Sequence, residues 1–211
     1  MGVTDRRRQQ GELTRGRIID AAYQIIGECG QAGLTTKAII TVAGISKGSL
    51  YHHFASLQDV VDAVLREVLG SMFQELHPAD YDDFNAYLDA FELAYFDGML
   101  ADRHLSQAFY GYVPVCMFED RYRPILAQLL RDWFQQFGET VNYYMGGGLS
   151  LAQRRSIVRL VDATMTGLGI HWFSLEQHRQ TRADWQLFRA MLTQYLEALV
   201  QTGASQGATP Q

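Results

Sequence analysis

The chain has 211 residues with 18 basic and 23 acidic side chains, a net charge of −5, and 47% apolar against 19% charged residues. That balance excludes a disordered chain, and no apolar run approaches the ~20 residues a membrane-spanning helix needs. Two cysteines, Cys29 and Cys116, at ordinary apolar positions exclude a disulfide-built scaffold. The N-terminus carries Arg6, Arg7 and Arg8 without the apolar segment of an export signal, so a cytoplasmic location is expected.

The charge is unevenly placed. Between Met1 and Phe54 seven basic residues (Arg6, Arg7, Arg8, Arg15, Arg17, Lys37, Lys47) stand against four acidic ones (Asp5, Glu12, Asp20, Glu28), a balance of +3 that leaves −8 for the remainder. A basic head on an acidic body suggests a polyanionic partner for the head. In that head, residues 14–29 place Ile18, Ala22, Ile25, Ile26 and Cys29 at helical spacing, with Thr14 as N-cap and Gly30 and Gly33 ending the helix. Thr35 starts a second helix, with Ile39 and Val42 on one face and a stop at Gly44. Ser46 caps a third, which carries Leu50 and Phe54 inward. Three short helices with a glycine turn between the last two predict a helix-turn-helix.

The stretch AGISKGSLYHHF, Ala43 to Phe54, then reads as a helix with two sides. A helix laid in the DNA major groove must bring its backbone close to the duplex, which suits Gly48 and the serines near its start. Lys47 can reach a guanine edge or a phosphate, and Ser49 a base edge. Tyr51 and His53 carry polar tips suited to phosphate oxygens. With Thr35, Lys37 and Ser46, these form the expected DNA-binding set. The competing reading is a small-residue turn between two packed helices, with His52 and His53 merely on the surface. The capped helices around it and the charge split favour DNA.

The rest of the chain also reads as helix. Residues 82–100 align Phe84, Leu88, Phe91, Tyr95 and Met99 on one stripe. Residues 109–118, rich in β-branched and aromatic side chains around Pro114, predict a kinked loop or short helix. The next helix has Pro124 in its first turn and lines up Leu126, Leu130, Trp133, Phe137 and Val141. Gly146–Gly148 breaks the chain, and Ser150 caps a long segment to Gln177 with Leu160, Ala163, Gly167, Ile170 and Ser174 along one side. A last helix, 184–201, carries Trp185, Phe188, Leu192, Tyr195 and Leu199. Acidic pairs such as Asp82–Asp83 and Glu119–Asp120 diverge on a helix and read as caps or solvated faces.

The residues Ile18–Ala21–Ala22, Gly30, Thr35, Ile39, Ala43–Gly44–Ile45–Ser46, Gly48, Leu50–Tyr51, His53–Phe54 and Asp59–Val60 together resemble the DNA-binding domain of the TetR family of bacterial transcriptional regulators. The resemblance covers the first quarter to third of the chain, and the rest agrees with the family only in helix order and length. It implies an all-α protein, with a helix-turn-helix DNA-binding domain over 1–57 and a larger ligand-binding and dimerisation domain over 58–202, while the small and polar composition of 203–211 predicts a disordered tail. It also implies a repressor that binds a palindromic operator as a homodimer and is released by a small molecule. Two departures stand out. Ile40 replaces a small alanine at a helix–helix contact, and Leu57 replaces a lysine at the start of the fourth helix, which removes a phosphate contact.

By that resemblance the body holds a ligand pocket. Phe91, Tyr95, Met99, Phe109, Tyr112, Met117, Phe118, Trp133, Phe137 and Met165 form an adaptable aromatic and methionine set suited to an apolar or aromatic effector. The same pattern is also what an ordinary core looks like. The small-residue seam of Ala163, Gly167, Ile170 and Ser174, with Trp185, Phe188, Leu192 and Tyr195 on the last helix, predicts a four-helix-bundle dimer interface. His171 and His178 are too few and too far apart for a zinc site, so no metal is expected. No cofactor and no enzyme is expected either, since phosphate-loop, nucleophile-elbow and paired-cysteine patterns are missing. The alternatives are an all-helical carrier or enzyme with an incidental head, and a helical interaction protein.

Overall fold

The computed structural model describes residues 3–71 and 76–207, which hold nine α-helices and no strand. In chain order these are α1 (Val3–Cys29), α2 (Thr36–Ala43), α3 (Lys47–His53), α4 (Leu57–Ser71), α5 (Phe84–Leu93), α6 (Arg103–Phe118), α7 (Arg123–Tyr144), α8 (Leu151–Leu175) and α9 (His178–Gly207). A π-helical segment, Ala94–Leu100, follows α5. The chain folds into two compact units, Met1–Gln74 with Ala101–Leu129, and Glu75–Leu100 with Leu130–Gln211.

In the first unit Ile18, Ile19, Ala22, Ile25 and Ile26 of α1 are buried with Ile39 of α2, Leu50 of α3 and Phe54. Helix α1 begins at Val3 rather than at Thr14. Thr14 is no cap: its hydroxyl donates to the Gln10 carbonyl at 2.9 Å, inside a continuous helix. In α2 the buried pair is Ile39 and Ala43, four apart, while Val42 is exposed. Cys29 is exposed and Cys116 buried. The expected boundary after residue 57 cuts α4 at its first residue, yet Val60, Val61, Val64 and Leu65 of α4 join the same core, as do Ala108 and Cys116 of α6. The head therefore needs α4 and α6 to close its apolar surface. Residues 109–118 are the C-terminal part of the continuous helix α6, with Pro114 inside it. Proline costs that helix one hydrogen bond and leaves it intact.

In the second unit Asp83 caps α5 by accepting from the Ala86 N–H at 2.8 Å. The stripe Phe84, Leu88, Phe91, Tyr95 and Met99 is buried throughout. The wider winding of the π segment also turns Phe96 and Leu100 inward, beside Tyr95 and Met99. Ser150 opens α8 with a capping box: its hydroxyl accepts from the Gln153 N–H at 3.2 Å, and the Gln153 side chain accepts from the Ser150 N–H at 2.8 Å. Helix α9 runs to Gly207, so residues 203–207 are helical where disorder was expected. Residues 208–211 of the expected tail lie outside the described residues.

Candidate nucleic-acid interface and the aromatic core

Helices α2 and α3 are set by their caps. Thr35 accepts from the Ala38 N–H and Ser46 from the Ser49 N–H, both at 3.1 Å, each filling one of the donors a helix start leaves open. Between the helices Gly44 takes the left-handed conformation, φ +61°, and its N–H bonds the Ile40 carbonyl. Arg17, from α1, donates to the Ala43 carbonyl and, at 3.5 Å, to the Gly44 carbonyl, holding the end of α2. Leu50 is buried, while Lys47, Gly48 and Tyr51 are exposed and Ser49 and His53 half-buried. Helix α3 thus packs with one side and offers Lys47, Ser49, Tyr51 and His53 on the other.

The electrostatics of that face are local. Lys47 Nζ lies 6.0 Å from the centroid of the Tyr51 ring, and the Tyr51 hydroxyl is 3.2 Å from the Thr36 hydroxyl. The His53 imidazole is pushed below its ordinary pKa, first by burial, then by His52 and Arg15. The free protein therefore holds His53 neutral at pH 7, a donor or acceptor rather than a fixed charge. Lys37 is exposed on α2. Thr35 and Ser46 spend their side-chain oxygens as acceptors for the backbone, so what remains to each for a ligand is its O–H.

Sequence reasoning missed Thr36 and Arg17. Thr36 follows the cap it was overshadowed by, and a hydroxyl at that place signals nothing until α3 lays Tyr51 beside it. Arg17 sits one residue before the buried face of α1 and looks like any solvated charge.

The ten aromatic and methionine residues fall in both units. Phe91, Tyr95, Met99, Trp133, Phe137 and Met165 are buried in the second. Phe91 stacks on Trp133 at 5.8 Å, Trp133 lies 4.9 Å from Phe137, and Phe91 lies 5.9 Å from Trp185. The Tyr95 hydroxyl donates to the Met165 carbonyl at 2.5 Å. Phe109, Tyr112, Met117 and Phe118 belong to α6 in the first unit, where Phe109 packs against the head's core and Met117 and Phe118 are exposed at 53% and 80%. The side chain of Tyr112 lies outside the described residues. A polar groove of about 430 Å³ along α9, lined by Asn85, Arg189, Thr193 and Glu197 among others, includes none of the ten.

The eight residues of the expected dimer seam also divide. Ala163, Ile170, Ser174 and Tyr195 are exposed and Gly167 and Phe188 half-buried. Trp185 and Leu192 are buried inside their own unit, which corrects their assignment to an interface. The Trp185 indole N–H donates to Glu92 at 3.1 Å, and the same carboxylate receives Gln186 and lies 3.9 Å from Arg182. Arg189 reaches Asp89 and the Asn85 carbonyl nearby. This acid-to-arginine ladder ties α5 to the inner side of α9. The outer side of α9 instead exposes Leu187, Met191 and Tyr195, four apart.

Capped helices with a left-handed glycine turn and one solvated face of small, basic and phenolic side chains have the geometry of a helix-turn-helix. Residues 18–64 match the family model described as bacterial regulatory proteins, tetR family, so this head is similar to that family's N-terminal domain. Over 69 residues the chain is 41% identical to the HTH-type transcriptional repressor KstR2 of Mycobacterium tuberculosis H37Rv, covering 33% of this chain and 34% of that one. Over 63 residues it is 38% identical to the HTH-type transcriptional regulator UidR of Escherichia coli K12, covering 30% and 32%. The matches thus span about a third of the length of these curated relatives. Among solved structures, Salmonella enterica GusR superimposes with TM-score 0.69 at 22% identity over 89% of this chain and 95% of that one. A TetR-family member from Streptomyces coelicolor gives TM-score 0.64 at 22% identity over 88% and 97%. The multidrug binding protein EbrR complexed with malachite green gives TM-score 0.62 at 20% identity over 85% and 96%. These likenesses extend the shared all-helical fold to the larger second part of the chain.

Proposed function

We propose that the chain is a ligand-responsive transcriptional regulator, acting as a repressor, that binds a palindromic operator as a homodimer in the cytoplasm. The observation that carries this reading is the face of α3, where Leu50 anchors the helix while Lys47, Ser49, Tyr51 and His53 remain free of the core. Lys47 and Ser49 read base edges. Tyr51, with Thr36 beside it, and His53 bind phosphates, and the exposed Lys37 adds positive charge. Thr35, Ser46 and Gly48 serve by holding the helix starts close to the duplex. The similarity of this head to the repressor KstR2 and the regulator UidR supports both the DNA partner and the sign of regulation.

The effector in this reading is a small apolar or aromatic molecule bound by the aromatic core around Phe91, Trp133 and Phe137. The fold shared with EbrR, whose structure holds malachite green, supports a ligand there. Dimerisation uses the outer stripes of α8 and α9, from Leu160 through Ala163, Gly167 and Ile170, and from Leu187 through Met191 and Tyr195. The test is binding-site selection from a random duplex library with the parent and Lys47→Ala. The parent should return a palindrome, and Lys47→Ala should relax one position of each half-site, at about 1–3 kcal/mol for a good bidentate contact. Identical logos from both proteins would remove Lys47 from base reading, and no enrichment by the parent would refute the regulator reading.

A further inference from the structure

The outer row of α8 begins with charge. Arg155 and Arg159 are exposed and precede Ala163 and Gly167 in one row, each residue four from the next. Among the described residues neither arginine meets a carboxylate. Like charges one helical turn apart repel, and nothing within the chain relieves this pair. The outer row of α9 begins with the complement. Gln180 and Asp184, again four apart, lead into Leu187, Met191 and Tyr195. The side-chain N–H of Gln180 donates to the Asp184 carboxylate at 2.9 Å. That leaves the amide oxygen of Gln180 and the second carboxylate oxygen of Asp184 as acceptors. No Lys, Arg or His pairs with Asp184 among the described residues.

The spacing along the helices matches as well. Helices α8 and α9 are joined by two residues, so they run antiparallel. At about 1.5 Å per residue, Arg159 stands roughly 9 Å before the middle of the Ala163–Gly167 seam, and Asp184 roughly 10 Å before Met191, the middle of the α9 row. A two-fold axis across the bundle lays α8 of one copy parallel to α9 of the other, with the middles of their outer rows level. Arg159 then reaches the height of the partner subunit's Asp184 to within about 2 Å, and Arg155 that of the partner subunit's Gln180. A two-fold axis along the bundle instead sets arginine level with arginine and leaves the carboxylate roughly 15–20 Å away.

We propose that a second copy of this chain docks in the first orientation, with Arg159 paired to the partner subunit's Asp184 twice per dimer and Arg155 donating to the partner subunit's Gln180. The inference rests on the homodimer reading and gives it a direction. The apolar rows supply contact area but fit either orientation. The charged ends of those rows discriminate, because the reversed packing leaves like charges opposed.

Sedimentation of the full chain without DNA tests the pairing. Arg159→Glu and Asp184→Arg should each weaken the dimer roughly tenfold, since one exposed pair couples modestly but occurs twice. The double variant Arg159→Glu/Asp184→Arg should return to within about threefold of the parent. Both side chains are solvent-facing in the single chain, so circular dichroism should show unchanged helix content in all three. A second measurement uses Arg159→Cys with Asp184→Cys in a chain carrying Cys29→Ser and Cys116→Ala. A short bismaleimide should join two such subunits, and should not join subunits carrying Arg159→Cys alone. A dimer indifferent to both reversals, reversals that the double variant does not rescue, or equal cross-linking by Arg159→Cys alone would each overturn the pairing and leave the homodimer reading in place. A parent chain that sediments as a monomer would refute the homodimer reading, and the pairing with it.

Discussion

Gly44→Ala tests how tightly the α2–α3 turn is set. At φ +61° a Cβ meets its own carbonyl oxygen, which costs roughly 1–2 kcal/mol. The added methyl would also stand 3.2 Å from Arg17 Nη2, the atom that donates to the Ala43 carbonyl. Displacing it removes a charge-assisted bond worth about 1 kcal/mol at this partly solvated site. The sum is about 3 kcal/mol. Gly30→Ala is the control: φ is +67° there, but nothing lies within 4 Å of the new methyl, so only the conformational cost of about 1–2 kcal/mol applies. At about 4–8 °C per kcal/mol for a domain of this size, Gly44→Ala should melt roughly 5 °C or more below Gly30→Ala. It should also bind the duplex flanking its own gene more weakly in fluorescence anisotropy, while Gly30→Ala binds like the parent. Equal melting and equal binding of the two variants would refute the clamp by Arg17.

Gly167→Arg should yield well-folded monomers that no longer bind a palindromic site, because a Cβ at Gly167 has open space within its own chain and only a partner would be displaced. Analytical ultracentrifugation checks this, and an intact dimer would remove α8 from the interface. Leu57→Lys follows from the packing of Leu57 at the first turn of α4 against the head's core. It should cost about 1 kcal/mol in thermal stability, with the lysine stem retaining part of the contact, and leave the slope of log K against log salt unchanged. A slope steeper by roughly 0.9 per added contact would mean that position 57 does reach a phosphate.

The parts of the fold legible in the sequence are those with local causes. Thr35, Ser46 and Ser150 were readable as caps because a hydroxyl before an apolar period has one favourable use, and Gly44 as a stop because α2 must turn sharply there. The buried stripe from Phe84 to Met99 was readable because five large side chains at helical spacing have to go inside. What escaped depends on neighbours. Residues 3–13 show no apolar period, and their helix rests on main-chain bonds and pairs such as Arg8–Glu12 at 3.3 Å. Pro114 signalled a break, but α6 is packed along α1 and keeps its course. The helix-turn-helix was legible as a motif, whereas Arg17 and Thr36 join it only through residues 27 and 15 positions away.

Helix α9 shows why periodicity alone misplaced Trp185 and Leu192. It is apolar on two sides, with Trp185, Leu192 and Leu196 inward and Leu187, Met191 and Tyr195 outward. A single stripe drawn from 185 through 188, 192, 195 and 199 crosses from one side to the other. The inward side is marked by the arginine and carboxylate ladder to α5, which has no function in a solvated face. The outward side is left with Leu187 64% and Met191 61% exposed, and α8 leaves Leu160 63% and Ile170 51% exposed. Each such side chain gains about 1 kcal/mol when its remaining surface is covered, so the four supply roughly 8 kcal/mol when two identical faces meet. That sum falls within the ~4–15 kcal/mol that association itself costs, so these four alone do not hold a dimer. The exposed Phe173, Leu175, Tyr195 and Val200 on the same two helices double the apolar contribution. The homodimer proposed above would therefore have to use both helices along most of their length, which is the geometry of a four-helix bundle and not of a contact at one end.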